Sequence, residues 1–298
     1  MIRTKSTGRK IFEIINTSLL VGFVALCVLP IWHVICASIS DPMHVLSTTG
    51  LILWPKGITF QGYTLVFGNQ SIIRSFGNTL VYVSAATVIG MMVTAMGGYA
   101  LSRKNLLWAN AIMVMITFTM LFSGGIVPAY LLLKRIGLYN SPWVLILPMC
   151  VNTFNLIIVR TSMASIPGSL EESAKLDGAS HFTIFWSIVL PLVKPTIATV
   201  TLYYAVFHWN SWFFASIFLR DSSLFPMQLV LKELLVANDF SSVSSNITAA
   251  EAADMSLNLS RELIKYCTIV ISSLPIFCVY PFVQKYFESG VMIGAIKG

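Results

Sequence analysis

Six long apolar stretches recur along this chain, near Ile14–Ala37, Phe76–Leu101, Leu107–Leu133, Pro142–Val159, Thr196–Leu219 and Ile264–Phe287. A helix needs roughly 20 predominantly apolar residues to cross the hydrocarbon core of a bilayer, and each stretch approaches or exceeds that length. The pattern predicts an all-α, polytopic membrane protein with six transmembrane helices, organised as a single membrane domain over residues 1–298. Longer polar segments occur at Asp41–Ser75, at Arg220–Leu263, where a short helix is expected near Ala249–Arg261, and in a charged loop over about residues 160–195. Pro128, just after Gly124 and Gly125, predicts a bend in the third span.

The charged loop carries a pattern of its own. Ser169 followed by Glu172 has the spacing of a capping box and predicts a helix from Leu170. Glu171 and Glu172 fall in its first turn, where negative charge complements the helix dipole, with Lys175 one turn on. Gly178 suits the left-handed position just past a helix end, and Ser180 begins a second helix. Phe182, Phe185, Trp186 and Val189 then mark a single apolar face at helical spacing, and Pro191 and Pro195 close that helix and open the next span. On pattern alone this is either an interfacial connector between two spans or a docking surface.

Composition supports the membrane reading. Hydrophobic residues make up 56% of the chain and charged ones 10%, against about 25% charged in soluble domains, and the mean hydropathy is +0.79. The net charge of +7 is spread among the spans with no dense basic patch, which argues against a nucleic-acid partner and for the lipid bilayer. If both termini are cytoplasmic, the cytoplasmic side holds Arg3, Lys5, Arg9, Lys10, Arg103, Lys104, Arg160, Lys175, Lys194, Lys285 and Lys297, more than half of the 19 basic residues. The first apolar run is too long for a cleaved leader and is read as a retained helix. The five cysteines lie in or beside apolar runs without metal-ligand spacing and read as small core residues; no metal site is expected.

The chemistry that is missing narrows the function. No G-x-x-x-x-G-K-[ST] stretch is present to cradle phosphates, so hydrolysis of ATP needs another subunit. The spans hold no carboxylate beyond Glu13 and Glu288 at their borders, where a membrane-embedded enzyme or an ion-driven secondary carrier would want one in the middle.

Glu172-Ser173-Ala174, three residues, Gly178, nine residues, then Ile188-x-Leu190-Pro191 resembles the EAA motif (E-A-A-x3-G-x9-I-x-L-P) of permease subunits in binding-protein-dependent ABC importers, with Ser173 in place of the first alanine. The resemblance extends through Phe122–Pro148, His208–Leu219 and Val283–Gly298 to carbohydrate-uptake permeases related to the second permease of the maltose importer, nearest the LplC/YtcP-like branch associated with complex oligosaccharides. It implies that the loop forms a cytoplasmic coupling helix docking on an ATPase subunit. Residues Glu171, Glu172, Ser173, Ala174, Asp177, Gly178, Ala179, Ile188, Leu190 and Pro191 would make or shape that contact, and Glu172 would pair with a basic group on the ATPase. It also implies that the tail Gly290–Gly298 reaches toward the ATPase pair. The implied partners are a second, homologous permease, two ATPase subunits that bind ATP and Mg, and an extracytoplasmic solute-binding protein; this chain itself holds no cofactor. A permease for a non-sugar solute such as a polyamine is the alternative within the class.

Polar residues inside spans face the bundle interior or a cavity. On that ground the translocation path is expected to involve Asn78, Tyr82, Asn152, Asn155, Tyr203, Tyr204, His208, Trp209, Asn210 and Trp212, with the run from Tyr203 to Trp212 as one wall suited to sugar. His33 and His208, lacking acidic neighbours in their spans, read as structural hydrogen-bonding residues.

Overall fold

The computed structural model describes residues 7–103, 105–243, 261–281 and 284, with only the backbone described over 237–243. Among these residues the chain is built from helices joined by turns, with no strand. In order they are α1 (Thr7–Ser38), α2 (Pro42–Ser47), α3 (Gln61–Gly68), α4 (Gln70–Ser102), α5 (Ala109–Leu121), α6 (Ile126–Arg135), α7 (Trp143–Ile146), α8 (Thr153–Ala164), α9 (Gly168–Leu176), α10 (His181–Ile184), α11 (Leu190–Leu192), α12 (Lys194–Trp209), α13 (Trp212–Phe218), α14 (Met227–Val243) and α15 (Arg261–Pro281). The tail Gly290–Gly298 and nearly all of the helix expected at Ala249–Arg261 lie outside the described residues.

Three helices, α1, α4 and α15, are long and apolar enough to cross a membrane unbroken, and three bent helix pairs raise the number to six. The sequence pattern does not show these bends in full. The third apolar stretch turns by 111° between α5 and α6. The break falls at Phe122–Gly125, where Phe122 is extended and Gly125 has φ +83. Pro128 is not its cause, since it sits in the first turn of α6, where an absent N–H costs nothing. The fourth stretch bends by 47° between Trp143–Met149 and α8, across a short 3₁₀ turn containing Pro148. The fifth, expected as one helix over Thr196–Leu219, ends at Trp209 and restarts as α13, because the Asn210 backbone and side-chain N–H groups both turn back to Val206 O. The segment expected as a polar loop after Arg220 contains α14, 17 residues long, whose first turns are apolar.

The chain forms two compact units, Met1–Gln70 with Glu233–Ser273 and Ser71–Lys232 with Leu274–Gly298. In the first, Cys36, Ala37, Val45 and Ile52 form a small core against which Tyr266 packs. His33 Nδ1 accepts from Ile52 N–H at 2.9 Å, the structural hydrogen bond expected of it. The rest of α1 buries almost nothing within the unit, and its exposed Leu, Val and Phe side chains suit lipid contact. Of the cysteines, Cys36, Cys150 and Cys267 are buried as expected, whereas Cys27 and Cys278 point outward from apolar helices.

In the second unit α4 runs through both hydrophobic cores. Tyr82 and Ala86 belong to one, with Val144, Leu145, Ala215 and Phe218. Ala95 belongs to the other, with Val159, Met163, Ile184, Val189, Val200 and Tyr204. Small residues on one face of α4 allow this close approach. A Cβ on Gly98 would lie 2.8 Å from Val159 Cγ1 and 3.2 Å from the Arg160 backbone nitrogen, so α8 can lie against α4 only over a glycine. Gly77, on the same helix, has nothing within 4 Å of such an atom. Gly98→Val is therefore expected to destabilise the protein by about 1–3 kcal/mol through overpacking, while Gly77→Ala is neutral or stabilising by up to about 1 kcal/mol. Thermal unfolding of the detergent-solubilised protein should separate the two.

Candidate functional site

The loop between α8 and α12 is a helix pair around a glycine turn. Its first helix begins at Gly168, two residues before the expected start, and no side chain caps it. Pro167, with φ −57 and ψ 129, enters the helix and its carbonyl accepts from Leu170 N–H, so Ser169 already lies inside the first turn and the expected capping box does not form. Gly178, with φ +82, ends the helix as predicted. Gly178 N–H donates to Lys175 O at 3.0 Å and Ala179 N–H to Ala174 O at 2.9 Å, the paired bonds of a Schellman turn. Ser180 caps the second helix by accepting from Thr183 N–H at 3.1 Å.

Helical rotation then sorts the loop's side chains. Glu171 and Ala174, three residues apart, point inward, whereas Glu172, Ser173, Lys175, Leu176 and Asp177 point outward. Leu176 is 90% exposed. The expectation that Glu171 belongs to an outer contact surface is overturned: it is buried and forms an ion pair with Arg103, just beyond the end of α4. Its attraction to a buried guanidinium outweighs the weak pairing with Lys175 that the spacing suggested. The Arg103 side chain is fixed on every side. Its guanidinium carbon lies 4.7 Å from the Tyr99 ring centroid, and it donates to Ser102 Oγ at 2.8 Å and to Met163 O at 3.3 Å. Burial lowers its pKa from the ordinary arginine value, yet an arginine remains protonated in proteins.

The second helix departs from the regular pattern. After α10 the chain widens into a π turn over Phe185–Val189, with Leu190 N–H reaching back five residues to Phe185 O, before α11 and Pro191. The extra residue in this turn rotates the face that sequence spacing assigned. Phe185 and Val189 are buried, whereas Phe182 and Trp186 are exposed and pack edge to face against each other. Ala179, Ile188 and Leu190 are half-buried against the core and Pro191 is exposed.

The residues expected along a path separate into three groups. Asn152, Asn155, Tyr203 and Tyr204 come together, with Phe154 and Phe207, around a pocket of about 320 Å³. Tyr204 organises it, with its hydroxyl 2.7 Å from Thr94 Oγ1 of α4 and accepting from Asn152 N–H at 3.0 Å, while Asn152 Oδ1 caps α8 through Asn155 N–H. A second group is structural: Asn78 donates to the carbonyls of Ser223 and Phe225, and Tyr82 to that of Leu224, pinning the turn before α14. The third group lies beyond the pocket. His208 and Trp209 are buried, with His208 Nε2 and Trp209 Nε1 lacking partners among the described residues. Asn210 caps α12, and Trp212 begins α13 beneath the Lys232 ammonium. The single wall expected from Tyr203 to Trp212 therefore does not exist, because the helix breaks between Trp209 and Trp212.

Sequence reasoning missed Thr94 and the pairing role of Arg103. Thr94 shares the face of α4 marked by Thr87, Gly90 and Gly98 at spacings of three and four, a pattern that was available. Arg103 was read only as a marker of orientation. Outside the pocket, Asn140 Oδ1 accepts from the N–H groups of Arg220 and Asp221, at 2.8 and 2.9 Å. The hydrogen bond from Ser223 N–H holds the Asp221 carboxyl below the usual range, with Arg74 nearby adding to the effect.

Residues 71–250 match the family of binding-protein-dependent transport system inner membrane components. Protein LplC of Bacillus subtilis is 38% identical over 97% of this chain and 96% of its own length. The polygalacturonan/rhamnogalacturonan transport system permease protein YtcP of the same organism is 37% identical over 97% of this chain and 99% of its own. Among solved structures, a chain of a bacterial ABC transporter involved in the import of the acidic polysaccharide alginate matches with a TM-score of 0.85 and 32% identity, covering 95% of this chain and 99% of that one. The helix pair around Gly178, set among apolar spans and without catalytic groups, thus belongs to a transport subunit and not an enzyme: the chain is a member of the family of binding-protein-dependent transport system inner membrane components, a multi-pass protein of the cytoplasmic membrane.

Proposed function

We propose that this chain is one of two homologous permeases in an ATP-driven importer of oligosaccharides, with both termini and the α9–α10 helix pair in the cytoplasm. The observation that carries the proposal is the outward row of Glu172, Ser173, Leu176 and Asp177. A leucine 90% exposed beside a carboxylate, on a turn fixed by Gly178, is a surface built to be covered. Its occupant is one of two ATPase subunits that bind ATP and Mg, with Glu172 meeting a basic group and Leu176 an apolar cleft. The extracytoplasmic binding protein delivers substrate to the opposite face.

The pocket under Tyr204 supports a carbohydrate cargo. It combines aromatic faces from Phe154, Tyr203 and Phe207 with the amides of Asn152 and Asn155, and it contains no carboxylate to attract a polyamine. The substrates in the names of YtcP and the alginate transporter also favour saccharides. On the face assigned to the outside, Arg74 lies near Asp221 and Arg220 and Lys134 lie near Tyr130, so positive charge exceeds negative around these rings. That balance favours an acidic oligosaccharide over a neutral one.

Two outcomes test this reading in the assembled importer. Glu172→Lys is expected to abolish substrate-stimulated ATP hydrolysis and to release the ATPase on purification, while membrane insertion is unchanged; retained coupling would refute the docking role. Gly178→Val, which forces a β-branched residue to φ +82, should cost about 1–2 kcal/mol locally and impair coupling in the same way. Within the pocket, Tyr203→Ala or Asn155→Ala should reduce oligosaccharide uptake roughly tenfold each, the scale of about 1.4 kcal/mol per lost contact. Uptake at the wild-type rate would exclude this pocket from the path.

A further inference from the structure

The outer row of α9 faces away from the chain, so what α9 delivers to the membrane spans depends on its inward contacts. Ala174 packs into the core, but the first turn is held by a charge: Glu171 against Arg103. Arg103 lies one residue beyond α4, and the end of α4 is fastened to everything around it. Arg103 donates to Met163 O at the end of α8, and Arg160 Nε of α8 donates to Leu101 O at 3.2 Å. Tyr99, under the guanidinium, has its ring 5.1 Å from that of Phe185 in the π turn. One helical end therefore meets α8, α9 and the π turn together.

The same helix reaches the pocket. Thr94 is nine residues before Arg103, or about 13 Å along α4 at 1.5 Å per residue, and its hydroxyl bonds the Tyr204 hydroxyl that also holds Asn152 N–H. A helix without a break between those points moves as a rod. An apolar contact at Glu171 would allow α9 to slide, whereas an ion pair locked by four further contacts fixes its direction as well as its distance.

We propose that Arg103 is a positioning residue for energy coupling: through its pair with Glu171 it locks α9 to α4, so that displacement of the helix pair carries α4 and the Thr94–Tyr204 contact at the pocket with it. The inference rests on the reading of α9 as the ATPase-facing helix, and it assigns Glu171 and Glu172, adjacent in sequence, opposite tasks. Glu172 receives the motion and Glu171 passes it on.

The test uses the complete importer in proteoliposomes, with binding protein, and measures substrate moved per ATP hydrolysed. Arg103→Met and Glu171→Gln are each expected to lower that ratio at least tenfold, with the KM for ATP unchanged and the ATPase still bound. A second variant, R103C/E171C in a background with the native cysteines replaced by serine, is joined by a reducible bis-thiol reagent of about the length of the ion pair. The joined form should couple within threefold of the unsubstituted importer and lose that coupling on reduction. A wild-type ratio in either single variant, loss of the ATPase from the complex, or a joined form as uncoupled as the reduced one would overturn the proposal. Glu172→Lys separates the two readings: normal transport in that variant removes the docking role itself, whereas an uncoupled Glu172→Lys beside a coupled Arg103→Met removes only the role given to Arg103.

Discussion

In hydrocarbon no water is available to satisfy a backbone N–H or C=O, and this constraint shapes the whole chain. It explains why the described residues are helical, and it makes each helix break costly unless the freed groups find partners within the protein. At the bend before α8, Asn152 N–H goes to Tyr204 and Asn155 N–H to Asn152 Oδ1. At the end of α12, Asn210 and Ser211 turn their N–H groups back onto Val206 and His208. The polar side chains of the spans are thus first of all repairs to an interrupted backbone. The pocket lies where the repair at α8 leaves room, so backbone satisfaction and the candidate binding site share the same atoms.

The second organising fact is that α4 stays unbroken while the pairs on either side bend. Over its length it supplies a glycine to α8, a threonine to Tyr204, and, just past its end, an arginine to α9. Burial of this kind is dear when disrupted: removing one partner of a buried ion pair costs about 3–5 kcal/mol because the other charge is left behind. The helix therefore serves as the fixed reference against which the irregular elements are arranged.

How much of this was legible in the sequence follows from which features depend on local chemistry. Apolar run length gave the membrane class, and the left-handed requirement at Gly178 and the capping hydroxyl of Ser180 were readable because each acts within a few residues. The direction of Glu171 was not, since two adjacent carboxylates look alike until a partner 68 positions earlier in the chain distinguishes them. Nor was the division of the path residues: Asn78 and Tyr82 have the same polarity as Asn152 and Tyr204, but their partners are the carbonyls of a distant turn. The break after Trp209 escaped because aromatic side chains continue across it, and hydrophobic pattern carries no mark of where an asparagine folds back on its own helix.

The π turn bears on how the motif itself is read. Nine residues separate Gly178 from Ile188, and that interval contains one more residue than a regular helix over the same path would use. Each residue advances an α-helix by about 100°, so a chain shortened by one here would form a more regular helix and aim Ile188 and Leu190 at the wrong side. The fixed interval is therefore a count of insertions as much as a signature of residues, and the widened turn is its structural memory.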